Sequence, residues 1–322
     1  MRNHLKLYKL KDQPLNISLI GICSNLGVTT RSNTVEAADH LRRHGLLDAL
    51  HYIGAQTRDL GNYTFVHEGR IEESEKKIKL TSQAYEKTST ALEKELREGR
   101  KVISIGGDHS ISIGSISSGL NVFNDEVGVI WIDAHADVNT LHTSPSKNIH
   151  GMPVAYLTMD LNDDLSKVIK NKLKKDQLMY IGLKEVDEAE IDTLSSWEET
   201  EIFTILDIEK SGVGSIFEAI DRLAQKVKYI WISLDVDSID AEFAPATPMQ
   251  NKGGLTYREI QNIFRYIGQK TNVVGLDIGE FAPSLDKDNK TTDLLIELIA
   301  LTFGKQFSDY EKYLANSQKN LH

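Results

Sequence analysis

The feature that most constrains this chain is a series of short apolar runs that do not alternate. VISI (102–105), VGVIWI (127–132), LMYI (178–181), YIWISL (229–234) and VVGLDI (273–278) place apolar residues at consecutive positions. A strand with one wet face alternates apolar and polar residues, whereas a strand covered on both faces need not. These runs therefore predict strands of a buried parallel sheet. Similar runs at Ile17–Cys23, Leu50–Ile53 and Ile202–Ile205 bring the expected strands to eight. Between them lie helical patterns at Glu73–Leu96, Ile216–Val227, Thr256–Ile267 and Thr292–Thr302. Strands alternating with helices predict an α/β fold with a doubly wound sheet.

The 322 residues, 40% of them hydrophobic, can fill one large α/β core. No repeat, low-complexity tract or Pro/Gly/Ser-rich linker divides them, and we read 1–322 as a single domain. Lys and Arg total 37 against 47 Asp and Glu, a net charge of −10. That balance argues against nucleic acid or an anionic membrane as partner. Cys23 is the only cysteine, so no intramolecular disulfide can form, as expected in a reducing, cytoplasmic setting. The basic N-terminal stretch 1–14 lacks the apolar segment of a secretory signal, and no apolar run approaches the ~18 residues of a membrane span. The Lys-rich stretch 167–175 reads as a solvated helix face. Ser110, Ser112, Ser115, Ser117 and Ser118 read as a helix start and its exposed face.

In doubly wound sheets, ligands gather beyond the carboxyl ends of the strands. The run at 102–105 is followed by Gly106-Gly107-Asp108-His109, and the run at 127–132 by Asp133-Ala134-His135-Ala136-Asp137. The run at 229–234 leads into Asp235-Val236-Asp237, and the run at 273–278 into Gly279-Glu280. Setting Asp108 aside as a turn residue, four strand ends deliver His109, Asp133, His135, Asp137, Asp235, Asp237 and Glu280 to one rim. If extended, the spacing of two in each Asp motif turns its members to one side of the chain. Burying so many carboxylates together costs too much in desolvation and mutual repulsion, unless divalent cations neutralise them. Six ligands, His109, Asp133, His135, Asp137, Asp235 and Asp237, can hold two ions. An oxygen-rich set with a minority of imidazole suits Mn²⁺ better than Zn²⁺, although Co²⁺, Fe²⁺ or Ni²⁺ could substitute. Neither a His-Glu-x-x-His zinc motif nor a phosphate-binding Gly-x-x-x-x-Gly-Lys-Ser/Thr loop is present.

GGDHSISIGSI (106–116), IDAHADVNT (132–140), NIHG (148–151), LDVDSID (234–240), GGLTYRE (253–259) and LDIGEFAPSLD (276–286) resemble, in order and spacing, the blocks of the ureohydrolase family, and within it the arginases. The resemblance implies a three-layer α/β/α sandwich around an eight-stranded, mostly parallel sheet. It also implies a Mn²⁺ pair, hydrolysis of a guanidinium to urea, and a homo-oligomer, trimer or hexamer. Residue by residue, it implies that Asn139, Ser144 and Ser146 bind an α-carboxylate and that Asp187 binds an α-amino group. Glu280 would hold the guanidinium, and His150 would pass a proton to the departing amine. Asp137 would steer a metal-bridging hydroxide, formed because two cations lower the pKa of the water they share. His142, in the same loop, reads as a surface residue.

The chain departs from the family pattern in two places. The N-terminal third matches poorly, reading NLGVTTRSNTVEAADHL at 25–41, and Pro248-Met249-Gln250-Asn251-Lys252 replaces the usual Gly-Thr-Pro sequence. The second departure keeps other guanidino substrates open, agmatine or guanidinobutyrate among them. Two further alternatives are a one-zinc deacetylase, opposed by the full set of six ligands, and a non-catalytic protein on the same scaffold.

Overall fold

The computed structural model describes residues 14–28, 33–67 and 73–305. The basic N-terminal stretch 1–14 lies almost wholly outside these residues, as do positions 29–32 of the divergent segment. The strands are β1 (Leu15–Ser24), β2 (Ala55–Phe65), β3 (Lys101–Ile105), β4 (Val127–Ile132), β5 (Leu178–Leu183), β6 (Glu201–Thr204), β7 (Tyr229–Asp235) and β8 (Val273–Gly279). The helices are α1 (Ala37–Arg43), α2 (Leu46–Tyr52), α3 (Ser74–Arg97), α4 (Ile111–Phe123), α5 (Pro153–Thr158), α6 (Glu188–Ser195), α7 (Ile205–Ser211), α8 (Gly214–Lys226), α9 (Tyr257–Lys270) and α10 (Lys290–Phe303).

The eight strands form one sheet in the order β2-β1-β3-β8-β7-β4-β5-β6, and every pairing is parallel. The consecutive apolar runs explain the layering. Along β4, Val127, Val129 and Trp131 pack on one face with α3, α4 and α5, while Ile130 and Ile132 pack on the other with α1, α2, α8, α9 and α10. Both faces of β4 are dry, so each of its positions is covered. The helices are amphipathic to match. In α9, Ile260, Ile263, Phe264 and Ile267 recur at helical spacing and are fully buried. A Thr256/Glu259 capping box satisfies the first backbone N–H groups of α9. Sequence order and sheet order part company at β3. The chain leaves β3, builds β4, β5 and β6, then returns to insert β7 and β8 between β3 and β4. This places the ends of β3, β8, β7 and β4 side by side, at a switch point where α/β sheets open a crevice.

Three expectations are corrected. Leu50–Ile53 is not a strand: Leu46 and Leu50 are the buried side of α2, and the strand is β2, just beyond. The serines of α4 are not exposed. Ser110, Ser112, Ser115, Ser117 and Ser118 are all at 0% exposure, and the last four return hydrogen bonds to backbone carbonyls three or four residues back. The 167–175 stretch is mostly irregular, and it buries Val168, Ile169 and Leu173. Asp108 lies in a bend, and its carboxylate is fully buried. Cys23 packs inside β1, and burial raises its thiol pKa to about 11.

Candidate metal and substrate site

Five strand ends build the site. Gly106 and Gly107, both at positive φ, turn the chain out of β3. A Cβ on Gly107 would sit 2.7 Å from the Ser24 carbonyl and 2.9 Å from that of Ile22, so only glycine lets this turn lie against β1. His109 follows at 1% exposure. Its ring stacks on Trp131, with centroids 4.1 Å apart. Nε2 meets Ser233 Oγ at 2.9 Å, while Nδ1 lies 2.8 Å from Asp133, 3.3 Å from Asp137 and 3.3 Å from Asp235. The opposite edge of the cluster is His135, whose Nδ1 lies 3.5 Å from Asp133 and 3.2 Å from Asp237.

The extended geometry expected for the two Asp motifs does not occur. Asp137 has φ +52°, and Val236–Ser238 forms a 3-10 turn in which the Asp235 side chain accepts the Asp237 N–H. Convergence comes from these bends. Glu280 is also left-handed, at φ +57°. Such backbone is costly for a non-glycine residue and persists only where its surroundings impose it, often at functional sites.

Two groups of side chains could each hold a cation: His109, Asp133 and Asp137, and Asp133, His135 and Asp237. Asp133 belongs to both, and Asp235 joins the first through its contact with His109. The donor set fits metal. Asp133, Asp137, Asp235 and Asp237 are all at least nine-tenths buried, and among the described residues no Lys or Arg pairs with any of them. Burial, together with Asp237 and Asp133, pushes the Asp235 carboxyl well above its usual range. Burial and Asp133 raise Asp237 to about 7. Crowded negative charge of this kind is what divalent cations relieve.

Beside the cluster, Glu280 Oε1 accepts the His109 backbone N–H at 3.1 Å and meets His150 Nδ1 at 3.3 Å. Burial pulls the His150 pKa down. The hydrogen bond and charge of Glu280 outweigh it and raise the ring to about 9. At the β4 and β5 side, Asn139 Nδ2 donates to Asp187 at 2.7 Å, and Thr143 Oγ1 donates to Asn139 Oδ1 at 2.7 Å. Asp187 caps α6 in a box with Glu190. Ser144 is buried and lies 3.3 Å from the exposed Ser146, oxygen to oxygen. His142 is exposed, as expected. All twelve site residues expected from the sequence therefore fall at the carboxyl end of the sheet or in the loops beside it.

Sequence reasoning missed the side chains behind them. Trp131 Nε1 donates to Asp133 at 3.0 Å, Ser233 faces His109, and Glu190 accepts the Val138 N–H at 3.3 Å. The divergent 248–252 loop is tied down at Asn251, and the chain just before it at Ala246. Asn251 Oδ1 accepts from Lys184 Nζ at 2.7 Å, and Ala246 O accepts the Ala282 N–H at 2.8 Å, two residues from Glu280. Among the described residues, no helix is long and apolar enough to cross a membrane.

The family model for arginases matches residues 15–304. The chain is 31% identical to the arginase of Bacillus caldovelox over 297 residues, covering 90% of this chain and 98% of that one. It is 32% identical to arginase-1 of Bos taurus over 310 residues, covering 92% and 95%. The crystal structure of the Bacillus caldovelox arginase superposes with a TM-score of 0.86 at 29% identity, covering 91% of this chain and 100% of the other. The strand-end carboxylates and imidazoles thus sit in a scaffold shared over nearly its whole length, and the chain belongs to the arginase family, hydrolases of the ureohydrolase type.

Proposed function

We propose that the protein is a binuclear manganese hydrolase that converts L-arginine and water to L-ornithine and urea. The observation that carries this reading is the pair of ligand groups sharing Asp133, set beside the Glu280–His150 pair. His109, Asp133, Asp137 and Asp235 would hold one cation, and Asp133, His135 and Asp237 the other. The bound cations supply a water acidic enough to ionise near neutral pH. Asp137 accepts a hydrogen bond from the attacking water and aims it at the guanidinium carbon. Glu280, a carboxylate anchored by the His109 N–H, holds the cationic guanidinium by charge-assisted hydrogen bonds. His150, held on its Nδ1 side by Glu280, turns Nε2 to the departing nitrogen and protonates it as the C–N bond breaks. Asn139, Ser144 and Ser146 receive the α-carboxylate, and Asp187 receives the α-amino group.

The same reading makes the protein a cytoplasmic homo-oligomer, trimer or hexamer, which light scattering of the purified protein would test. A second substrate, agmatine or guanidinobutyrate, is favoured by one feature: the half-exposed Met249 in the divergent loop. The test is urea release from Mn²⁺-loaded protein offered L-arginine, agmatine and guanidinobutyrate in parallel. Preference for L-arginine supports the assignment of Asn139, Ser144, Ser146 and Asp187. Preference for a decarboxylated analogue removes that assignment and leaves the metal chemistry. Failure to turn over any of the three, with metal bound, removes the enzymatic reading.

A further inference from the structure

We propose that Asp108 is a positioning residue that fixes His150, the proton donor of the proposed reaction, and the inference rests on that reading. Asp108 is at 0% exposure, next in sequence to His109. Its Oδ2 accepts the Gly27 N–H at 3.0 Å, and its Oδ1 accepts the Ser110 N–H at 3.1 Å together with the Ser110 hydroxyl. Gly27 in turn accepts the His150 backbone N–H on its carbonyl oxygen at 3.2 Å. One residue, Gly27, therefore links the buried carboxylate to the main chain of the histidine.

The fit leaves no slack. A Cβ on Gly27 would overlap the Asp108 carboxylate and the Ser110 hydroxyl. Ser110 is itself held by the hydroxyl of Tyr85, which is fully buried in α3. His150 has two independent anchors: Glu280 orients its ring, and Asp108, through Gly27, fixes its backbone. The loop carrying His150 has no regular structure between Asp133 and the 3-10 turn at Ile149–Gly151, so its position must come from such ties. A proton donor displaced by about 1 Å loses on the order of 10²-fold in rate. The link also gives the divergent segment at 25–41 a task, because Gly27 lies in it and has no room for a Cβ.

The test is a coupling measurement. In Mn²⁺-loaded protein, Asp108→Ala should lower kcat on L-arginine by about 10²-fold, with KM within about 3-fold and metal content unchanged. In a His150→Asn background the same change should cost less than about 3-fold, because the group it positions is gone. Asp108→Asn, which keeps one acceptor oxygen, should recover much of the rate. Gly27→Ala should copy Asp108→Ala without altering a neighbour of His109. Equal losses in the two backgrounds, or loss of metal from Asp108→Ala, would overturn the proposal. A readout without turnover separates it from the arginase reading. In the ¹⁵N-histidine spectrum, the His150 Nδ1 signal of the Glu280 hydrogen bond should be lost in Asp108→Ala and Gly27→Ala and kept in Asp108→Asn. If wild type shows no urea release while these spectra behave as stated, the substrate assignment fails and the positioning role stands. If wild type is active and the spectra do not change, the positioning role fails.

Discussion

Replacing Ser233 with Ala probes how the metal site is held without touching a ligand. Ser233 is a fully buried residue of β7, and its Oγ is 2.9 Å from His109 Nε2. His109 Nδ1 is turned toward three carboxylates. Once Nδ1 is given to a cation, the ring carries its proton on Nε2, and Ser233 accepts it. Ser233→Ala leaves that N–H buried and unpaired, at a cost of about 1–3 kcal/mol. The ring keeps its stacking on Trp131, so it can tilt but not leave. Loss of an outer hydrogen bond of this type weakens metal binding by about 10–100-fold, or roughly 1.4–2.7 kcal/mol. The assay is Mn²⁺ titration of stripped protein, followed by calorimetry and by urea release. The midpoint should rise by that factor, while kcat at saturating metal stays within about 3-fold of wild type. An unchanged midpoint would refute the reasoning, because the Ser233 bond would then play no part in presenting Nδ1.

Three further outcomes follow from the same geometry. Asp277 is fully buried in β8, where Oδ2 accepts the Trp231 indole N–H at 2.8 Å while Oδ1 finds no partner, and burial raises it to about 7. Its folded pKa lies above its unfolded one, so it costs stability increasingly from about pH 4 to about 7. Asp277→Asn should therefore raise the melting temperature at pH 8 and change little at pH 4, worth at most about 4 kcal/mol. His150 in the metal-free protein should titrate near 9 by NMR and fall toward about 6.5 in Glu280→Gln. Because this pKa is raised on folding, its stabilisation, at most about 3 kcal/mol, is complete below about pH 6.5 and is lost as pH climbs through 9. Asn139→Ala should raise KM for L-arginine by about 10-fold, the loss of one hydrogen bond to a charged group. KM for agmatine, which has no carboxylate, should hardly change; an equal effect on both substrates would count against the carboxylate assignment.

What could be read from the chain, and what could not, has physical causes. β3, β4, β5, β7 and β8 were legible because strands covered on both faces show as continuous apolar runs. β2 was not. It pairs only with β1 at the sheet edge, and its exposed polar residues in AQTRDLGNYTF carry no apolar signal. The nearby Leu50–Ile53 run was ambiguous because four apolar-rich residues fit a strand or the buried side of a short helix equally well. The α4 serines misled for another reason: hydropathy does not register that a buried hydroxyl can be satisfied by the carbonyl of the preceding turn. The candidate ligands could be picked out because each lies at the end of a strand or within five residues beyond it. Ser233 meets His109 only once β7 inserts into the sheet, Asp108 meets Gly27 across 81 residues, and Glu190 reaches Val138 from α6. No local spacing announces such contacts.

The central claim is that the residues gathered around Asp133 would hold two cations, which would supply the acidified water for hydrolysis of the guanidinium of L-arginine. It is tested most directly by titrating metal-stripped protein with Mn²⁺ while measuring urea release from L-arginine and bound metal in the same samples. The account predicts no release without metal and a plateau reached as two equivalents per subunit bind. Full activity without metal, a plateau at one equivalent, or two bound equivalents with no urea would contradict it.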